Sequence, residues 1–343
     1  MTHTWPEVLS TLVARQDLTA EQATWAMDEV LSGEATPVQI AGFAIALRTK
    51  GETIEELVGL SEGMLEHATP ISVPGRVLDV VGTGADRAMT VNISTMSAIV
   101  AAGAGALVVK HGNRAASSKT GTADVLEELG IRLDLSAADV ARIAEEVGIT
   151  FCFAAAFHPA LRHAGVPRKE LGVPTAFNFL GPLANPVRPA AQAIGCADRK
   201  MAPLMAGVFA RRGVDAWVFR GDDGLDELTT TTTSSLWVVR DGTVTETSID
   251  PREFGLPVGT AEGLRGDNAA YNADVVRRLV DGETGPVRDA VVLNAGAALA
   301  VYGAATHDIR DALVQGMALA RQSIDSGAAK DLLARWIAAS TAS

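Results

Sequence analysis

Two runs, residues 79–95 (D-V-V-G-T-G-A-D-R-A-M-T-V-N-I-S-T) and residues 108–121 (V-V-K-H-G-N-R-A-A-S-S-K-T-G), decide how the rest of the chain is read. The first leaves a β-branched run at 77–81 through a glycine turn and enters an Ala- and Gly-rich helical stretch through hydroxyls and an amide. The second leaves a strand at 106–109 and delivers a lysine, a histidine and an asparagine. Short apolar strands alternating with helices are the mark of βαβ units and a largely parallel sheet. Ligands of such sheets bind outside the carboxyl ends of the strands. Two polar loops at the same end of neighbouring strands therefore predict a phosphate pocket.

Upstream, the pattern is helical over 5–14, 19–31, 38–50 and 53–67. Thr19 with Gln22 and Thr53 with Glu56 have capping-box spacing, and Thr36-Pro37 puts a proline at a first helical position. This predicts a small all-helical domain over 1–71. Its apolar stripe exceeds what four short helices can bury alone, which predicts a docking or dimerisation surface. Residues 69–75 read as a proline-punctuated hinge. From 76 to 343 the chain reads as an α/β domain, interrupted at 157–172 by a basic, histidine-bearing helical insert expected to rejoin the helical domain and face the cleft. Further strands are expected at 149–153, 192–197 and 216–220, with a hairpin at Asp241-Gly242. The five threonines Thr229 to Thr233 are expected in polar strand. Helices are predicted over 122–130, 136–148, 201–212, 267–280, 289–301, 309–323 and 330–339.

With 343 residues, 48% hydrophobic and 20% charged, the chain has globular composition and ample length for a core. A net charge of −12 opposes nonspecific binding to nucleic acid or to an anionic membrane, both of which need a basic surface. The two Ala- and Gly-rich runs, 93–109 and 290–305, lack the unbroken apolar stretch of about 20 residues that a bilayer requires. Cys152 and Cys196 sit in apolar runs outside any C-x-x-C motif and read as inert thiols of a reducing compartment. No export signal is legible near the start, so a cytoplasmic protein is expected.

The G-T-G of Gly82–Gly84 lacks the third glycine of a dinucleotide fingerprint, and no Walker sequence is present. What remains is a turn whose amides can face an anion, with Asp86 within reach of a metal. Asn92, Ser94 and Thr95 open a helix, a natural phosphate cradle; the competing reading is plain capping. Lys110, Arg114 and Lys119 supply a local positive focus. Asp222, Asp223, Asp226 and Glu227 cluster at another strand end, either as a solvated turn or, beside a phosphate pocket, as a hard-metal site. Arg168 is a fork suited to a carboxylate. No nucleophile, triad or zinc pattern is legible, which suits a reaction driven by positioning and charge stabilisation.

At these residues, and nearly end to end, the sequence resembles the anthranilate phosphoribosyltransferase family. The resemblance is carried by V-G-T-G-A-D, T-V-N-I-S-T, V-V-K-H-G-N-R-A-A-S-S, G-V-P-T-A-F-N-F-L-G-P-L-A-N-P and G-D-D-G-L-D-E-L-T-T. It implies a helical domain beside a larger α/β domain with a central, mostly parallel sheet, a nucleoside phosphorylase/phosphoribosyltransferase-like architecture. It also implies a homodimer through the helical domain, phosphoribosyl diphosphate and anthranilate as substrates, and two Mg²⁺ ions. Gly82, Thr83, Gly84 and Asp86 would line the diphosphate. Thr90, Asn92, Ser94, Thr95 and Lys110 would hold phosphates, with Ser118 nearby, and Ser94, Asp226 and Glu227 would hold metal. Asn113 and Arg168 would engage anthranilate, with His111 and His158 along its approach; Lys110, Asn113 and Arg168 would be the catalytic groups. The family's usual G-T-G-G-D-G has two glycines replaced, by Ala85 and Arg87, and Leu161 stands where some relatives carry an aromatic. Two other readings share the scaffold: a pyrimidine-nucleoside phosphorylase, which has little need of the Asp226/Glu227 pair, and a non-catalytic nucleic-acid-binding paralogue, which the charge opposes.

Overall fold

A computed structural model describes residues 3–84, 86–114, 119–303 and 305–342. The first helices are α1 (Trp5–Val13), α2 (Ala20–Ser32), α3 (Pro37–Lys50) and α4 (Ile54–Glu66). Thr19, Thr36 and Thr53 each cap their helix reciprocally with Gln22, Gln39 and Glu56, so the two boxes expected from the three-residue spacing are joined by a third at Thr36. Glu56 is fully buried and also accepts from the Leu18 amide and from Lys50, which ties the start of α4 to the loop before α2.

The α/β part runs β1 (Val77–Gly82), α5 (Ile93–Gly103), β2 (Leu107–Gly112), α6 (Thr122–Leu129), α7 (Ala137–Val147) and β3 (Ile149–Phe153). The insert follows as α8 (Ala154–Phe157) and α9 (Arg162–Leu171). The chain then makes β4 (Ala191–Gly195), α10 (Met201–Arg212), β5 (Asp215–Gly221), β6 (Ser234–Arg240) and β7 (Thr243–Ile249). It closes with α11 (Ala269–Val280), α12 (Pro286–Gly303), α13 (Ile309–Asp325) and α14 (Ala328–Thr341). Among the described residues the strands form one seven-stranded sheet, ordered β3-β2-β1-β4-β5-β6-β7. β3 to β5 are parallel, and β6 and β7 are added antiparallel through a tight turn with Asp241 and Gly242 both at positive φ.

One face of the sheet packs on α5 and α11 to α14 around Leu78, Ile99, Leu293 and Trp336. On the other face, β4 to β6 share an apolar core with α10 and the helical domain, in which Phe43, Leu57, Phe209 and Val218 are all buried, while Val77, Val109 and Cys152 pack separately on α7. Arg48–Asp198 (2.7 Å), Arg211–Glu55 (2.6 Å) and Arg212–Glu62 (2.9 Å) cross the same seam. Much of the apolar excess of the helical domain is therefore absorbed within the chain. The insert packs back onto it, with α9 against α3 and Ala164 in that core.

The threonine run corrects the strand expectation. Residues 229–233 are bends and coil, and β6 starts only at Ser234. Thr229 and Thr231 donate their hydroxyls to Asp223, and Thr233 donates to Asp222. Those local side-chain bonds offer the backbone an alternative to the ladder.

Candidate active site

β1, β2 and β4 end side by side at Gly82, Gly112 and Gly195, with Gly82 and Gly195 directly paired in register. Across these ends lies the loop that follows β5. A Cβ on Gly82 would overlap the Asp226 carboxylate, and one on Gly195 would overlap the Asp226 carbonyl. Two missing side chains therefore let Asp226 sit against the strand ends, where the Gly84 amide donates 2.6 Å to its Oδ2. Gly195 was not singled out from the sequence; an I-G-C run at the end of a strand carries no local sign of what approaches it.

Asp226 and Glu227 are both 8% exposed. Burial, then the charge of Asp86, pushes the Asp226 carboxyl up to about 7. Burial, then Asp226, raises Glu227 well above the usual carboxylate range. Lys110 is 1% exposed and donates to the Val80 carbonyl and to Ser94 Oγ at 3.3 Å. Burial lowers its pKa, opposed by the charges of Asp79, Glu227 and Asp226. The Ser94 amide faces Glu227. Hence one lysine, the start of α5 and an acid pair converge over the ends of the central strands.

On the other side of Lys110, buried Asp79 accepts from the His111 amide (3.1 Å) and from Asn185 Nδ2 (2.9 Å). Asn185 Nδ2 also donates to the Val109 carbonyl at 2.8 Å, pinning the 181–185 segment to β1 and β2. That segment orients two histidines. His111 Nδ1 meets the Gly181 carbonyl at 2.9 Å and His158 Nε2 meets the Ala184 carbonyl at 2.8 Å, so each of those nitrogens carries the proton. The rings lie edge to face at 5.1 Å, and His111 Nε2 is a buried lone pair with no partner among the described residues. Burial, His158 and Lys110 hold His111 neutral, its pKa pushed down to about 3. Arg168, near the end of α9, stacks its guanidinium on Phe177 at 5.4 Å; burial lowers its pKa, and no ion pair joins it to a carboxylate among the described residues.

Several expected residues are placed otherwise. Asp222 and Asp223 are taken up by the threonine hydroxyls, leaving Asp226 and Glu227 as the acids of the site. Arg114 pairs with Asp124 and Glu127, and Lys119 with Asp267 at 2.6 Å, so the positive focus rests on Lys110. Asn92 is the N-cap of α5 but makes no side-chain capping bond. Thr95 Oγ1 donates to Thr122 Oγ1 (3.3 Å) at the α5–α6 contact. Thr83 ties the first loop to β4 through its amide, which donates to the Gly195 carbonyl (2.9 Å), while Thr90 bridges to Arg265. Asp86 Oδ1 accepts from the Ala88 amide, and Asn113 Oδ1 from the Arg114 amide. Arg87 has φ 59°, in the left-handed region, so the backbone there behaves as a glycine would, at about 1–2 kcal/mol. Ser118 and Ala85 lie outside the described residues.

Among the described residues no group of three or more His, Cys, Asp or Glu side chains has metal-holding geometry. Two buried carboxylates that repel each other, with the Ser94 hydroxyl nearby, are nonetheless a hard all-oxygen donor set. That fits Mg²⁺, which takes one or two carboxylates and completes its shell with water and substrate phosphates. No helix among the described residues is long and apolar enough to cross a membrane.

Residues 74–330 match the glycosyl transferase family α/β domain, and residues 6–68 its helical bundle domain. The chain is 71% identical over 336 residues to the anthranilate phosphoribosyltransferase of a Nocardioides strain, covering 98% of each. To that of Streptomyces griseus it is 60% identical over 338 residues, covering 98% of this chain and 96% of the other. Its structure superposes on anthranilate phosphoribosyltransferase from Thermus thermophilus with a TM-score of 0.91 at 39% identity, covering 97% and 99% of the two chains. On the Saccharomyces cerevisiae enzyme in complex with PRPP and Mg the TM-score is 0.90 at 25% identity, covering 99% and 98%.

Proposed function

Since the chain belongs to the anthranilate phosphoribosyltransferase family, we propose that it transfers the 5-phosphoribosyl group from phosphoribosyl diphosphate to the amine of anthranilate, releasing diphosphate. The observation that carries this reading is the buried Asp226–Glu227 pair held against the G-T-G turn through Gly84. A phosphorylase using orthophosphate gives no reason for two buried acids there.

The first turn of α5 binds the phosphate oxygens, Gly82, Thr83, Gly84 and Asp86 line the diphosphate, and Lys110 adds the positive charge that the chain as a whole lacks. Asp226, Glu227 and Ser94 would hold Mg²⁺, and two ions are expected. When bound, Mg²⁺ neutralises the charge that builds on the departing diphosphate. Arg168, stacked and unpaired, takes the carboxylate of anthranilate, and Asn113 helps orient the ring. His111 and His158, fixed by the 181–185 segment, line its approach. The bond from C1 of the ribose to the diphosphate oxygen breaks as the aryl amine attacks an oxocarbenium-like carbon, and the proton the nitrogen then carries in excess is lost to the departing diphosphate or to water. An aniline nitrogen is nucleophilic without deprotonation, so Lys110, Asn113 and Arg168 act by charge and position rather than by proton transfer.

Val13 and Val38, 76% and 81% exposed on α1 and α3, mark the face of the helical domain through which two copies associate. The location that goes with this reading is the cytoplasm.

The test is anthranilate fluorescence in the presence of phosphoribosyl diphosphate. A Mg²⁺-dependent decay is expected, and folded protein that leaves the signal unchanged would overturn the reading.

A further inference from the structure

Asn272, 180 residues beyond Asn92 and on a helix with no recognisable motif, points its side chain at the phosphate cradle. It is 2% exposed, and its Nδ2 donates to Asn92 Oδ1 at 2.8 Å. An amide oxygen and nitrogen look alike, so the direction of such a bond must come from its neighbours. Here a backbone group decides it. The Asp267 N–H can only donate, and it meets Asn272 Oδ1 at 3.0 Å. Asn272 must therefore turn its nitrogen to Asn92, and Asn92 must answer with its oxygen. The Thr120 carbonyl, which can only accept, lies 3.4 Å from Asn92 Nδ2 and agrees.

The consequence concerns the remaining hydrogen on Asn92 Nδ2. With Oδ1 held by Asn272 and one N–H turned to Thr120, this N-cap residue keeps one N–H for a ligand at the opening of α5, where an anion gains from a donor. Turned over, it would present a carbonyl oxygen to a phosphate and repel it. The same stretch binds both loops: the Val91 amide donates to the Leu264 carbonyl (2.9 Å), the Gly266 amide to the Met89 carbonyl (2.8 Å), and Thr120 Oγ1 to the Asp267 carbonyl (2.7 Å).

We infer that Asn272 is a positioning residue for the phosphoribosyl diphosphate site: through Asn92 it sets which face of an amide the substrate meets. The inference rests on the reading of the α5 opening as a phosphate cradle, and the test separates the two.

Calorimetric titration with phosphoribosyl diphosphate and Mg²⁺, without anthranilate, reads binding alone. Asn272→Asp keeps the acceptor for Asp267 and loses the donor to Asn92; it is expected to weaken binding about tenfold, the scale of a misdirected buried hydrogen bond. Asn92→Ala should weaken it comparably, and the double variant no further than Asn92→Ala, because the first residue acts through the second. The KM for anthranilate should not move. Unchanged binding by Asn272→Asp, or effects that add in full, overturns the inference while leaving the site reading intact. Absence of binding by the parent protein, or no effect of Asn92→Ala, overturns the cradle and the inference with it. Should Asn272→Asp not fold, Asn92→Asp reads the same geometry: it keeps the acceptor facing Asn272 and puts a carboxylate oxygen where N–H faced the ligand. A melting temperature near the parent's with at least about hundredfold weaker binding is expected; tight binding by that variant overturns the inference.

Discussion

The Gly84 amide donates to Asp226 Oδ2 across 2.6 Å, joining the turn after β1 to an acid 142 residues away. The turn proposed to hold a diphosphate already holds a carboxylate, and the acid proposed to hold a metal is already placed against the strand ends. In that proposal metal site and anion turn are one structure.

The glycines that make this possible should fail differently. In Gly82→Ala the new methyl meets the movable end of Asp226, whereas in Gly195→Ala it meets the fixed Asp226 carbonyl. Gly82→Ala should fold with a melting temperature near the parent's and lose most Mg²⁺-dependent turnover. Gly195→Ala should lose about 1–3 kcal/mol of stability in denaturant titration, the usual cost of overpacking. Equal melting temperatures for the two variants would contradict the packing described.

Asp226→Asn should separate stability from activity. The charge of Asp226 is buried beside Glu227 and Asp86, and its raised pKa means that ionisation is disfavoured in the folded state. At pH 8 without metal the variant should be more stable than the parent by at least about 1 kcal/mol, the worth of one pKa unit. Added Mg²⁺ should raise the parent's melting temperature and leave the variant's nearly unchanged. Turnover in the variant should fall by about a hundredfold or more.

Arg168→Ala should raise the KM for anthranilate by about tenfold to a hundredfold, the value of a hydrogen bond to a charged group, with the KM for phosphoribosyl diphosphate steady. Arg168→Lys should recover little, because a point charge reproduces neither the fork nor the stacking on Phe177. Steady-state kinetics with each substrate varied in turn checks both.

His111 gives a pH dependence of known sign. Its pKa falls from 6.5 in the unfolded chain to about 3 in the fold, so below pH 6.5 the unfolded state binds the proton more readily. Its contribution to stability is therefore intact above pH 6.5 and drains away as the pH drops toward 3. Asp79 works against it, since its carboxyl is pushed up to about 6 by burial and its charging penalty, full above that pH, is relieved on acidification. His111→Asn removes the first effect and keeps the second. Its melting temperature should fall less steeply than the parent's between pH 6.5 and 4.5, and parallel slopes would contradict the assignment.

What the sequence determined alone was local. Thr19 and Thr53, three residues ahead of Gln22 and Glu56, mark helix starts from their own neighbourhood, and the alternation of β-branched runs with helical ones points to a parallel sheet with polar loops at one edge. That alternation puts Lys110, Ser94 and the G-T-G turn at a common rim. Side-chain partnership was decided only by the tertiary structure. Asp222 and Asp226 look alike in G-D-D-G-L-D-E-L, yet one is bound by threonine hydroxyls and the other packs on Gly82 and Gly195. Arg114 and Lys119 look like ligand cations, yet each faces a carboxylate. Asn272 carries no signal in its own neighbourhood. The reason is physical: periodicity and capping act within a few residues, whereas the group a side chain meets depends on strand register and helix packing, which bring together residues more than a hundred positions apart.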